Sequence, residues 1–130
     1  MLISRLMTYG AETISSHDSL RIAATMMKRG GYRRIPVVDD DKLVGIISDR
    51  DIRAHAGYLD STKITAAMTS DPKTATPSMT VEDAARLMIS HKIGGLPVME
   101  DGKLVGIITT TDVLKAFLKV EAATQSFGDN

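Results

Sequence analysis

The sequence predicts an α/β fold made of two β-α-β-β-α units packed around a pseudo-twofold axis, and three observations carry that reading. First, residues 7–53 lie over residues 68–114 at a constant offset of 61 with no gap, and sixteen of the 47 positions are identical. The densest block reads Lys-Leu-Val-Gly-Ile-Ile at both 42–47 and 103–108. Second, Leu20, Ala23, Ala24 and Met27 recur as Val81, Ala84, Ala85 and Met88, the i, i+3, i+4, i+7 spacing of a helix with one buried face. Third, each copy then carries two short apolar runs around an acidic turn, which reads as a β-hairpin. A unit of about 60 residues has too little core to stand alone, so the copies are expected to pack on each other.

In chain order, a short extended piece is expected at Glu12–Ser15 and again at Lys73–Thr76. The first helix of each copy follows, capped by Asp18 or Ser19 in copy one and by Thr80 in copy two, because these hydroxyl or carboxylate side chains can accept from free first-turn N–H groups. Gly30-Gly31 stops the first of these helices, and Gly94-Gly95 follows the second. The hairpins pair Ile35–Val38 with Leu43–Ile47 around Asp39-Asp40-Asp41-Lys42, and Leu96–Met99 with Leu104–Ile108 around Glu100-Asp101-Gly102-Lys103. A second helix opens at Ser48 and at Thr109, with a broad apolar stripe of Val113, Leu114, Phe117 and Leu118 in copy two. The organisation is therefore residues 1–60 as the first repeat with its N-terminal segment, 61–121 as the second, and 122–130 as a flexible tail.

Composition narrows the function. Sixteen basic residues balance sixteen acidic ones, which argues against a general nucleic-acid binder, since phosphate-backbone affinity needs clustered positive excess. Five aromatic residues and no tryptophan make a poor stacking platform for single strands. With no cysteine there is no thiol chemistry and no disulfide framework. His17, His55 and His91 have no metal-ligand spacing, and no phosphate-binding glycine loop is present. No apolar run approaches the ~18 residues that cross a bilayer, and the opening Met1–Leu6 is too short for a signal peptide. A non-enzymatic, cytoplasmic protein without a membrane or metal is the expectation.

Ser48-Asp49-Arg50-Asp51 and Thr109-Thr110-Thr111-Asp112 have the Ser/Thr-x-x-acid spacing of a capping box, and capping alone accounts for it. The same place, a strand ending at a helix N-terminus, also suits a phosphate. The element order, with apolar-Pro-Val before each hairpin and Gly-Ile-Ile-Ser/Thr-x-x-Asp after it, resembles the tandem cystathionine-β-synthase (CBS) domain pair, or Bateman module, over roughly residues 1–120. The resemblance implies a stand-alone regulatory sensor that binds AMP, ADP, ATP or S-adenosylmethionine in clefts between the repeats. It implies that Asp51 and Asp112 hold ribose hydroxyls and that Ser48 and Thr109 lie beside ribose or phosphate. It places Thr13, Ile14, Thr74, Ala75, Ile35 and Leu96 around the base, where core packing is an equal explanation for the apolar ones.

Arg33-Arg34 stands where copy two has Gly94-Gly95. In the nucleotide-sensing subunit of AMP-activated kinase, a member of the family, a basic pair here reaches the phosphates of the ligand held by the partner copy's Asp. The resemblance thus implies that Arg33 and Arg34 serve the cleft of Thr109 and Asp112. The cleft of Ser48 and Asp51 would face Gly94 and Gly95, with room but no charge, and Arg50 is a further phosphate candidate. Two other readings stay open: a ligand-free dimeric adaptor for a separate enzyme or transporter, and a DNA-associated regulator, which the neutral charge disfavours. Family members commonly dimerise through their helices, and the stripes Met26/Met27, Leu87/Met88 and Val113/Phe117/Leu118 exceed what one small core needs, so a homodimer is expected.

Overall fold

The computed structural model describes the backbone of residues 1–128 and the side chains of residues 1–119. After a 3-10 turn at Ile3–Arg5, the elements are β1 (Thr8–Tyr9), α1 (Leu20–Gly30), β2 (Arg34–Asp39), β3 (Lys42–Ser48), α2 (Asp49–Ala54), α3 (Ile64–Ala67), β4 (Thr69–Ser70), α4 (Val81–His91), β5 (Gly95–Glu100), β6 (Lys103–Thr109) and α5 (Thr110–Gly128). Both hairpins form, with Asp40-Asp41 and Asp101-Gly102 at positive φ, as a two-residue turn matched to strand twist requires. The cap expected of Asp18 or Ser19 does not form: Ser19 holds the N-cap position of α1 without a side-chain bond, and Asp18 accepts from the N–H of Ser15 instead. Gly31, in the left-handed region, closes α1 and donates its N–H to the carbonyl of Met27. Thr80 caps α4 by accepting from the N–H of Asp83.

The strands form two three-stranded antiparallel sheets, ordered β1-β6-β5 and β2-β3-β4. The copies therefore exchange their leading segments. β1 pairs with β6 of the second hairpin, and β4 pairs with β3 of the first. The exchange extends into the cores. Ile64 is fully buried with Ile14, Leu20, Ala23, Met26, Met27, Ile35, Val37 and Ile47, whereas Ile3 and Met7 sit with Ala75, Ala84, Met88, Leu96, Val98 and Ile108. Ile3 and Ile64 are repeat counterparts, so each core is completed by the stretch that leads into the other copy.

This crossing explains one pair of glycines. β1 runs so close to β6 that a Cβ at Gly106 would overlap the carbonyl oxygen of Thr8. In the other sheet a Cβ at Gly45 would lie 2.8 Å from the carbonyl oxygen of Thr69. A side chain at either position would push the exchanged strand away.

Two expectations need correction, on the leading strands and on the methionine stripes. The leading extended pieces at 12–15 and 73–76 supply only single parallel bridges, Ile14 to Val37 and Ala75 to Val98; the paired strands start earlier, at Thr8 and Thr69. In the stretch expected as a tail, 122–130, the backbone of 122–128 belongs to α5, since Glu121-Ala122-Ala123 favours helix; residues 129–130 lie outside the described residues. Met26, Met27 and Met88 are buried in the cores and add nothing to a surface stripe. What remains outside is Leu114, Phe117 and Leu118 of α5, each more than half exposed, together with Ile89.

Candidate ligand-binding cleft

A cleft of about 650 Å³ opens where the two copies meet. Copy one contributes Gly30, Gly31, Tyr32, Arg33 and Arg34, the turn from α1 into β2. Copy two contributes Ile107, Thr109, Thr111 and Asp112, the step from β6 into α5. The exchanged N-terminal segment supplies Thr8, Gly10, Ala11 and Glu12. Arg33, Arg34, Thr109 and Asp112 thus come together from positions some 75 or more residues apart, drawn in by the two turns rather than by sequence proximity.

Asp112 is held by the capping box. Thr109 donates its N–H (2.8 Å) and its hydroxyl (3.0 Å) to Asp112 Oδ2, and the N–H of Asp112 donates to Thr109 Oγ1 (3.3 Å). Both bonds end on Oδ2, so Oδ1 has no partner among the described residues. The carboxylate is fixed in one orientation with one oxygen spare, at the N-terminus of a long helix whose dipole favours an anion. Ser48 and Asp51 repeat the arrangement: N–H and hydroxyl to Asp51 Oδ2 at 2.9 Å each, and Asp51 N–H to Ser48 Oγ at 3.2 Å. These two line neither this cleft nor the second cavity described below. Arg50 is exposed beside them.

The four apolar candidates are core residues. Ile35 and Leu96 are fully buried, and Ile14 and Ala75 nearly so. Nor do the last two offer free backbone to a base. The N–H of Ile14 donates to the carbonyl of Pro36 and its carbonyl accepts from Val38, while Ala75 bonds Pro97 and Met99 in the same way. Thr13 and Thr74 are exposed. Thr13 lines a second cavity of about 610 Å³ between the hairpin turns, where Asp40, Asp41 and Asp101 face Lys42 and Lys103.

Arg34 departs from its expected surroundings. The room over Gly94 and Gly95 is not empty, because the Arg34 side chain lies in it. A Cβ on Gly94 would overlap its Nη2, and one on Gly95 would lie 2.7 Å from its Cδ. Burial holds the Arg34 guanidinium below its ordinary pKa, with Asp49 opposing that shift and the Arg33 and Arg50 charges adding to it. Tyr32 was missed by the sequence reading. Its ring rests on Gly30, where any Cβ would strike it, and its buried hydroxyl, near Glu12, meets no partner at hydrogen-bond geometry among the described residues. Burial, then the Glu12 carboxylate, raises its pKa. The segment Thr8–Glu12 was missed as well, although the identity of Met7-Thr8 with Met68-Thr69 marked it as part of the repeat.

The model of the CBS domain matches this chain twice, at residues 3–57 and 63–119. The chain belongs to the CBS domain family. Among relatives of this CBS pair, the CBS domain-containing protein YhcV of Bacillus subtilis is 32% identical over 120 residues, which are 90% of this chain and 86% of YhcV. The CBS domain pair of protein MJ0100, solved in complex with 5-methylthioadenosine and S-adenosyl-L-methionine, superposes with a TM-score of 0.84 at 30% identity, covering 90% of this chain and 95% of that one. CBSX2, solved in complex with AMP, gives a TM-score of 0.82 at 30% identity over 92% of this chain and 98% of that one. Among the described residues of this CBS pair, no helix is long and apolar enough to cross a membrane.

Proposed function

We propose that this CBS pair is a non-catalytic regulatory module that binds a phosphate-bearing adenosine ligand in the cleft between its copies. One observation carries the reading: a fixed carboxylate with a spare oxygen, Asp112, shares a cleft with Arg33 and Arg34 from the other copy. Asp112 Oδ1 accepts from a ribose hydroxyl, and the exposed Arg33 fork meets the phosphate, its paired N–H donors reaching two phosphate oxygens at once. The start of α5 adds a favourable dipole. Because the walls belong to different copies, occupancy ties the α1–β2 turn to the β6–α5 step. That linkage is what a partner protein reads. The complexes of MJ0100 and CBSX2 support the adenosine class, and the arginine pair favours AMP, ADP or ATP over the cationic S-adenosylmethionine. The exposed α5 face of Leu114, Phe117 and Leu118 is covered by a second copy in a homodimer.

A thermal-shift and calorimetric panel of AMP, ADP, ATP, S-adenosylmethionine and NADH tests this. A nucleotide at a hundred times its Kd stabilises the native state by about 2.7 kcal/mol, which is a shift of several degrees. Phosphate-bearing adenosine ligands are expected to give it. No shift with any of them, or an equal shift with S-adenosylmethionine, overturns the reading.

A further inference from the structure

Arg34 occupies an unusual position. It lines the cleft of Asp112, while its guanidinium lies over Gly94 and its Cδ and Nε over Gly95, the repeat counterparts of Arg33 and Arg34. The asymmetry of the sequence is therefore a fit: one copy carries the arm and the other lacks the side chains that would block it. In this position the guanidinium has no hydrogen bond or ion pair among the described residues. Asp49, the acid near enough to act on it, is already paired with Arg53 at 3.1 Å. Arg33 and Arg50 repel it. A half-buried cation without a partner is costly, so it sits ready for an anion.

We infer that Arg34 is a movable arm: parked on the Gly94–Gly95 shelf it fills the space that the repeat symmetry makes the counterpart, beside Ser48 and Asp51, of the Asp112 cleft, and a phosphate beside Asp112 draws it off and opens that space to a second ligand. The inference rests on the proposal that the Asp112 cleft holds an adenosine phosphate. Binding in the first cleft then prepares the second, whose ligand meets backbone at Gly94–Gly95 instead of a cation. An adenosine compound without phosphate suits that second place.

Site-resolved amide spectra test the arm. Adenosine, which has no phosphate, should shift the amides of Thr109 and Asp112 in the wild type while leaving Ser48 and Asp51 still. In Arg34→Ala, adenosine should shift Ser48 and Asp51 as well, because the shelf is empty. AMP added to the wild type should move the amides of Gly94 and Gly95 with the same midpoint as Asp112. Gly94→Ala provides a second variant: Gly94 is not at positive φ, and the atom displaced is the end of a flexible side chain. It pushes the guanidinium toward Asp112 and should tighten AMP several-fold. If Ser48 and Asp51 respond to adenosine in the wild type, or stay silent in Arg34→Ala, the arm is wrong while the Asp112 site stands. If neither ligand moves Thr109 and Asp112, the functional proposal falls and the arm with it.

Discussion

The two capping boxes give the ligand site an internal control. In Asp112→Ala, Thr109 loses an acceptor for its N–H at 2.8 Å and for its hydroxyl at 3.0 Å. Asp51→Ala removes the same pair of bonds from Ser48, at 2.9 Å each. Both carboxylates are half-buried, so each deletion should lower stability by about 1–2 kcal/mol, the scale of a lost helix cap. Only Asp112 shares a cleft with Arg33. Losing a charge-assisted bond to a ribose hydroxyl costs a further ~1.5–3 kcal/mol of binding, roughly ten- to a hundredfold in AMP affinity. Urea denaturation and AMP calorimetry on both variants measure the two quantities separately. Matched stability losses with an affinity loss confined to Asp112→Ala are expected. Equal affinity losses in the two variants, or none in Asp112→Ala, would refute the assignment and leave Asp112 as a cap alone.

Three further outcomes follow from the packing. Gly106→Ala forces β1 off β6, because the clash is with the backbone oxygen of Thr8; stability should fall by about 1–3 kcal/mol, with the loss of hydrogen-exchange protection concentrated at Thr8 and Tyr9. Asp39 is held below its ordinary pKa of 3.8 by bonds from the Ser16 hydroxyl and N–H, with Ser15 assisting. The unfolded chain takes up that proton first, so the contribution is present above about pH 4 and lost as pH falls through the depressed native value. Denaturation midpoints at pH 5 and about pH 3 should therefore converge in Asp39→Asn relative to the wild type. Phe117→Asp should leave the monomer folded, since Phe117 is 58% exposed, yet halve the mass seen by light scattering at tens of micromolar; an unchanged mass would remove α5 as the dimer face.

Much of the fold was legible because duplication supplies its own evidence. Each helix stripe and each hairpin occurs twice, and chance does not repeat a register over 47 positions. The exchange of leading segments was not legible. Ile3 and Ile64 look alike, and no local pattern says that each fills the core of the other copy. The same blindness hid Thr8–Glu12 from the site, since those residues reach it only through the pairing of β1 with β6. Among site residues, the capping boxes and the meeting of Arg33 with Asp112 could be read from spacing and family resemblance. The path of the Arg34 side chain could not, because a flexible arm chooses its rest position by the space its neighbours leave. For Ile14 and Ala75 the sequence left core packing and base contact as equal explanations, and the structure shows the packing: both are buried with their own amides engaged in pairing.

A crystal structure of this protein grown with AMP tests the central claim most directly. The account predicts density in the cleft between the copies, with a ribose hydroxyl donating to Asp112 Oδ1 and the phosphate against Arg33. Nucleotide seated instead between the hairpin turns, among Asp40, Asp101 and Lys103, or an empty Asp112 cleft at saturating AMP, would contradict it.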